Sequence, residues 1–165
     1  MRRMLFVFAA VFATAAIAVP AALADSPHFL FANSSVSSTT GALTVSFKDA
    51  GLGTGVSSIQ ITLTVDTATA VYQCFNNGGN HPKAGNKETV TTSLMTTGTF
   101  PVRNGQTTGS LSVGPPSQGD FSCPSGQSLF LQSITYSGIT VSDATGNSLG
   151  ATPDPISGPT HIPIG

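Results

Sequence analysis

From Leu43 onward the chain alternates apolar and polar residues with a period of two, and that pattern restricts the fold more than any other feature. Successive side chains on a strand point to opposite faces, so a period of two gives each strand one wet and one dry side. Over residues 42–48, Leu43, Val45 and Phe47 point one way and their polar neighbours the other. Over 59–66, Ile59, Ile61, Leu63 and Val65 make a clean apolar face. A break at Asp66-Thr67 predicts that 68–75 is a separate, neighbouring strand, with Ala70, Tyr72 and Cys74 on one face and the thiol directed at the core. Further strands are expected over 89–94, 98–103, 108–113, 128–136 and 139–142, with 29–31 as an edge strand. No stretch after residue 25 sustains a helical period. Turn-forming clusters punctuate the pattern at 49–55, 76–82, Asn104-Gly105, 114–116 and 143–147. Many short strands at this spacing predict an all-β fold: a single antiparallel β-sandwich of immunoglobulin-like architecture, with a small β-barrel as the alternative.

The N-terminus reads as a secretory signal. Arg2 and Arg3 precede an uncharged Ala- and Phe-rich stretch, Pro20 interrupts it, and Ala22-Leu23-Ala24 offers the small-x-small pattern of a cleavage site. Cleavage between Ala24 and Asp25 is expected. The chain then divides into a signal over 1–24, a sandwich domain over 25–151 and a Pro-rich tail over 152–165 that either lies along the sheet through Ile156, Ile162 and Ile164 or hangs loose. Export without membrane insertion after signal removal is the expected localisation.

Removal of the signal leaves 141 residues, enough for one domain with a real core. Lys48, Lys83, Lys87 and Arg103 then face seven acids, a formal charge of −3. Four scattered bases provide no basic footprint, which argues against nucleic acid as a partner. Charged residues are 8% of the chain, so solubility falls to hydroxyls and amides, with 21 Thr and 20 Ser after residue 24. Cys74 and Cys123 are the two cysteines, and outside the cytoplasm such a pair is expected to form a disulfide.

Two resemblances follow from particular blocks. Val141-Ser142-Asp143-Ala144-Thr145-Gly146-Asn147 looks like the strand-end turn of many bacterial immunoglobulin-like domains. The chain contains no Trp, so the family's tryptophan near the first cysteine is missing and only the sandwich architecture is implied. Phe47 to Gly53, Tyr72 to Lys83 with Asn86-Lys87-Glu88, and Phe121 to Gln127 are together similar to a group of small secreted actinobacterial proteins. That resemblance implies export and paired cysteines and carries no mechanism with it.

The segment 76–87 is the most promising site, read as a long polar loop tethered at its base by Cys74. Asn76, Asn77, Asn80, His81, Lys83 and Lys87 are the candidate ligand residues, since loops on a rigid scaffold commonly carry recognition. Gly51-Leu52-Gly53-Thr54-Gly55 has no helix after it to complete a phosphate cradle and reads as a turn. His28, His81 and His161 stand far apart, with no metal-ligand spacing around them, and read as lone surface histidines. Asp120, Asp143 and Asp154 do not make a calcium loop, and Asp143 with Asn147 is expected to shape a hairpin turn. No serine sits in a nucleophile elbow and Glu88 is the single glutamate, so no catalytic residues, metal or cofactor are assigned.

The expected function is a secreted, non-catalytic binding or structural module at the cell envelope or in the medium, with an extracellular protein or glycan as partner. A small secreted hydrolase or an enzyme inhibitor is the alternative. With no Trp and two Tyr, sugar recognition by aromatic stacking is disfavoured, and amide hydrogen bonds or a protein surface fit better.

Overall fold

The computed structural model describes residues 26–76 and 82–164. It is all-β, and no helix occurs among the described residues. Among the described residues nine strands run in chain order: β1 (His28–Val36), β2 (Leu43–Ala50), β3 (Ser58–Asn76), β4 (Pro82–Pro101), β5 (Gln106–Val113), β6 (Gln127–Asp143), β7 (Ser148–Gly150), β8 (Ile156–Ser157) and β9 (Ile162–Ile164). They form two antiparallel sheets, one in the order β1-β2-β5 and one in the order β4-β3-β6-β7, with β8 and β9 also paired to β6. The sheets pack as a sandwich, joined along one side where β1 exchanges backbone hydrogen bonds with Thr152.

The apolar faces read from the sequence are the ones that meet. Leu43, Val45 and Phe47 of β2 are fully buried against Ile61, Leu63 and Val65 of β3 and Ile139 and Val141 of β6. Phe47 sits edge-on to both Phe29 and Phe100, with centroids 6.2 and 5.0 Å away. These edge-to-face contacts add to the area the rings bury.

Three expected strand pairs prove to be single long strands. Residues 59–66 and 68–75 both belong to β3, because Asp66-Thr67 forms a bulge rather than a turn. A bulge inserts a residue and bends the strand without ending it. Residues 128–136 and 139–142 are both in β6, which passes through Gly138 at φ 65°. Residues 89–94 likewise run on into 98–101 within β4, which ends at Pro101, two residues short of the expected strand end at Arg103.

The difference in strand length shapes the molecule. β3 has 19 residues and β2 has 8, contours of about 60 and 25 Å at about 3.3 Å per residue. The large sheet therefore overhangs the small one. Its inner face there, with Tyr72, Cys74 and Leu131, is covered by the segment following β5. Two bonds fasten that segment: the Tyr72 hydroxyl donates to the Pro116 carbonyl, and Cys74 is disulfide-bonded to Cys123 with Cα atoms 5.6 Å apart. Of the two placements expected for the C-terminal tail, the docked one is found: Leu131 faces Ile162 and Leu129 faces Ile164, with Ile162 buried.

Candidate binding surface

The segment read as a long loop is mostly strand. β3 continues to Asn76 and β4 begins at Pro82, pairing Phe75 with Pro82 and Gln73 with Lys87. Asn77, Asn80 and His81 lie outside the described residues, as do Ala24 and Asp25 at the expected cleavage point. Lys83 is a residue of β4, and Lys87 stands exposed on the outer face of the large sheet. What the structure does assemble at this end is a chain of amides. Asn86 Nδ2 donates to Gln127 Oε1 at 2.8 Å, and Gln127 Nε2 donates to Asn76 Oδ1 at 3.0 Å. Gln127 is directly opposite Asn76 across the β3–β6 ladder, a partnership that a sequence separation of 51 conceals.

On the outer side of the same end, His161 is not a solitary surface residue. Its ring stacks on Phe130 at 4.1 Å and meets Phe75 edge-on at 4.6 Å. Phe130 sits half-buried beneath it, and His161 itself is exposed.

The rest of the outer face is paved with hydroxyls. Strand register places Thr97, Thr62, Ser142 and Ser148 in one row across β4, β3, β6 and β7. A second row runs Thr91, Thr69, Thr135 and Ser157 across β4, β3, β6 and β8. Between them, Thr64 faces Thr140 on one side and Met95 on the other. Neighbouring hydroxyls touch: Thr62 to Thr97 at 3.1 Å, Thr69 to Thr91 at 3.2 Å and Thr135 to Ser157 at 3.0 Å. A hydroxyl has one proton and two lone pairs, so each such pair keeps one donor and several acceptor sites for solvent or a ligand. Neighbours along a row are about 4.8 Å apart and successive outward residues of one strand about 6.7 Å apart. Among the described side chains of this face, Asp66, at the β3 bulge, and Lys87, at one end, are the charged ones, and Asp154 sits at its margin, accepting from the Gly138 and Ile139 amides. The abundance of Thr is visible in the sequence. The rows are not, because they depend on register between strands far apart in the chain.

Glu88, Asp120 and Asp143 do not converge on one cleft. Glu88 and Asp120 line a shallow depression with Val90 and Phe121, and both are exposed. Asp143 is remote from them. It pairs with Ile61 and Glu88 with Tyr72, positions separated by about 35 Å along β3. As the sequence suggested, Asp143 shapes the β6–β7 turn: its Oδ1 accepts from the Thr145 and Asn147 amides at 2.7 and 3.0 Å. Burial works against its charge, but the hydrogen bonds from Thr145 and Asn147 outweigh it and hold the carboxyl below the usual range. Among the described residues no three His, Cys, Asp or Glu side chains gather as a metal site would require. Gly51 and Gly53, both at positive φ, lead from β2 through a turn into the strand β3, as expected.

No protein-family model, no curated protein and no solved structure matches this chain. The fold is an antiparallel two-sheet sandwich with one disulfide, and among the described residues no helix is long and apolar enough to cross a membrane.

Proposed function

We propose that the chain is an exported, non-catalytic binding module that recognises a neutral, hydroxyl-rich surface, a cell-envelope or extracellular polysaccharide, through the outer face of its large sheet. The observation that carries this reading is the pair of four-membered hydroxyl rows in strand register. A charged partner would call for a charged face, and among the described side chains this one offers, outside Asp66, Lys87 and the His161 ring, hydroxyls, amides and a few apolar groups. Neutral hydroxyls that both donate and accept suit a neutral polyol, whose groups do the same. Recognition then comes from many hydrogen bonds on a flat array rather than from aromatic stacking, in keeping with the absence of Trp. Export rests on the leader over 1–24 and on the disulfide, a bond that persists in oxidising compartments.

Co-sedimentation of residues 25–165 with isolated cell walls and a panel of insoluble neutral polysaccharides tests the reading. The wild type is expected to pellet with at least one of them. Thr62→Lys/Thr69→Lys, which drives two charges into the centre of both rows, is expected to bind at least tenfold more weakly at an unchanged melting temperature. Retention that survives this change but disappears when residues 77–81 are replaced by Gly and Ser would move recognition to the amide chain at the disulfide end. Absence of binding to every neutral polysaccharide would overturn the proposal.

A further inference from the structure

Asp49 occupies a place that the β2 pattern reserves for an apolar residue. It follows Leu43, Val45 and Phe47 on the inward face, has no solvent exposure, and neither of its carboxyl oxygens has a hydrogen-bond partner among the described residues. A buried ionised carboxylate with no donors is strongly disfavoured, and such a group takes up a proton instead. The protonated acid needs an acceptor, and the group facing it is the carboxyl of Asp143, the last inward residue of β6 on the opposite sheet. Asp143 is built to remain the anion. Its oxygens receive the Thr145 amide at 2.7 Å, the Thr145 hydroxyl at 2.6 Å, the Asn147 amide at 3.0 Å and Asn147 Nδ2 at 3.2 Å. The two carboxyls are thus unequal: Asp143 takes four donor contacts, whereas Asp49 has only the neighbouring Ala50 amide, which lies outside hydrogen-bond geometry. That asymmetry assigns the proton.

We propose that Asp49 and Asp143 share one proton, with Asp49 the acid and Asp143 the anion, and that this pair bolts the two sheets together in a mildly acidic medium and loosens as the medium turns neutral. A metal ion would need lone pairs that Asp143 has already given to Thr145 and Asn147, whereas a proton needs only one contact. Burial, with the nearby Asp143 charge, pushes Asp49 up to about 6. His28, from β1, is the other titratable group that faces it, and with the Ala50 amide it works in the opposite direction. The sign of the linkage follows. The folded chain holds a proton on Asp49 that the unfolded chain releases near 3.8, so this stabilisation is complete below about 3.8 and is lost as pH rises through about 6. Asp143 acts oppositely, its contribution being present above the ordinary carboxyl range and lost as pH falls through its lowered folded value. Together they place the stability maximum near the ordinary carboxyl value of 3.8, with a steady loss from there to about 6.

The test is urea unfolding of residues 25–165 from pH 4 to pH 8, in the wild type and in Asp49→Asn, whose amide donates to Asp143 at every pH. Between these limits the wild-type unfolding constant is expected to rise by about a hundredfold, the full effect of a shift of roughly two pK units. Asp49→Asn should be insensitive over the same range and more stable than the wild type at pH 8. A wild type insensitive to pH, with Asp49→Asn less stable throughout, would overturn the proposal. So would a calcium-dependent rise in wild-type stability at pH 8 that Asp49→Asn lacks, which would make the occupant a cation. Should Asp49→Asn not fold, infrared titration of the wild type decides: a carboxylic-acid band that bleaches with a midpoint near 6 supports the shared proton, and its absence at pH 5 refutes it.

Discussion

Replacement of both cysteines, Cys74→Ala/Cys123→Ala, is the perturbation whose size follows most directly from the structure. The bridge closes a loop of 49 residues, and chain entropy assigns about 4 kcal/mol to restricting the unfolded state in this way. Domains of this size have net stabilities of about 5–15 kcal/mol, so the loss is a large share of the whole. Part of it is local as well. The segment between β5 and β6 forms no ladder with either sheet, and once the bridge is gone its side-chain anchor to β3 is the bond from the Tyr72 hydroxyl to the Pro116 carbonyl. Alanine is the right replacement because Cys74 is fully buried, and serine would bury a hydroxyl without a certain partner. Urea titration followed by circular dichroism should show the midpoint falling by about 2 M, taking a slope of about 2 kcal/mol per molar. The slope itself should rise, since an unfolded chain freed of its cross-link exposes more surface. Limited proteolysis of the variant should begin between Gly114 and Gly126. A loss below about 1 kcal/mol with an unchanged slope would refute the reasoning, because it would mean that the bridge does not restrict the unfolded chain.

Two further substitutions probe the packing that positions the sheets. Gly109→Ala places a methyl group on the Phe100 ring and 3.2 Å from Phe47, two rings locked edge-to-face, and should cost about 1–3 kcal/mol by thermal unfolding, whereas no measurable loss would show that the aromatic layer can shift. Tyr136→Phe removes the donor 2.7 Å from the Gly41 carbonyl in the core and should cost about 1–3 kcal/mol; burial pushes the phenol up to about 12, so the same cost should appear at pH 5 and pH 8, and a strong pH dependence would contradict this account.

The sequence made strand faces readable wherever burial follows the pleat. Ile59, Ile61, Leu63 and Val65 alternate cleanly and all are buried, and Ala70, Tyr72 and Cys74 follow suit beyond the bulge. Continuity was hidden, because Asp66-Thr67 is as suitable for a turn as for a bulge and the choice depends on neighbours in β4 and β6. Residues 82–87 looked like loop for a similar reason. Pro82, Gly85 and Asn86 carry turn propensities, yet Pro82 and Lys87 pair with β3 and hold the residues between them, at an irregularity in the ladder, within β4. The amide chain, the His161 stack and the hydroxyl rows all depend on contacts between strands distant in sequence. Asp49 was within reach of inspection: the run Leu43, Val45, Phe47, Asp49 sets a carboxyl on the apolar face, and an acid that keeps the apolar phase of a strand is the signal that could have singled it out.

The low charge of this chain and the proposed role of its outer face have one physical root. A surface of Lys and Glu stays soluble through flexible side chains, which surrender about 1.5–2 kcal/mol each in rotamer freedom when a ligand fixes them. Threonine is β-branched and already restricted at χ1, suits a strand, and is further held here by contacts such as Thr62 to Thr97 and Thr69 to Thr91. Its hydroxyl therefore loses little on binding, and a weak hydrogen bond made many times over can leave a net gain. The same reasoning explains why the rows lie on the long sheet. Hydroxyls on short, fraying strands would have to be ordered by the ligand, whereas β3 is paired on both sides along most of its 19 residues, with a buried apolar face beneath, and so sets the positions of Thr62, Thr64 and Thr69 before any partner arrives.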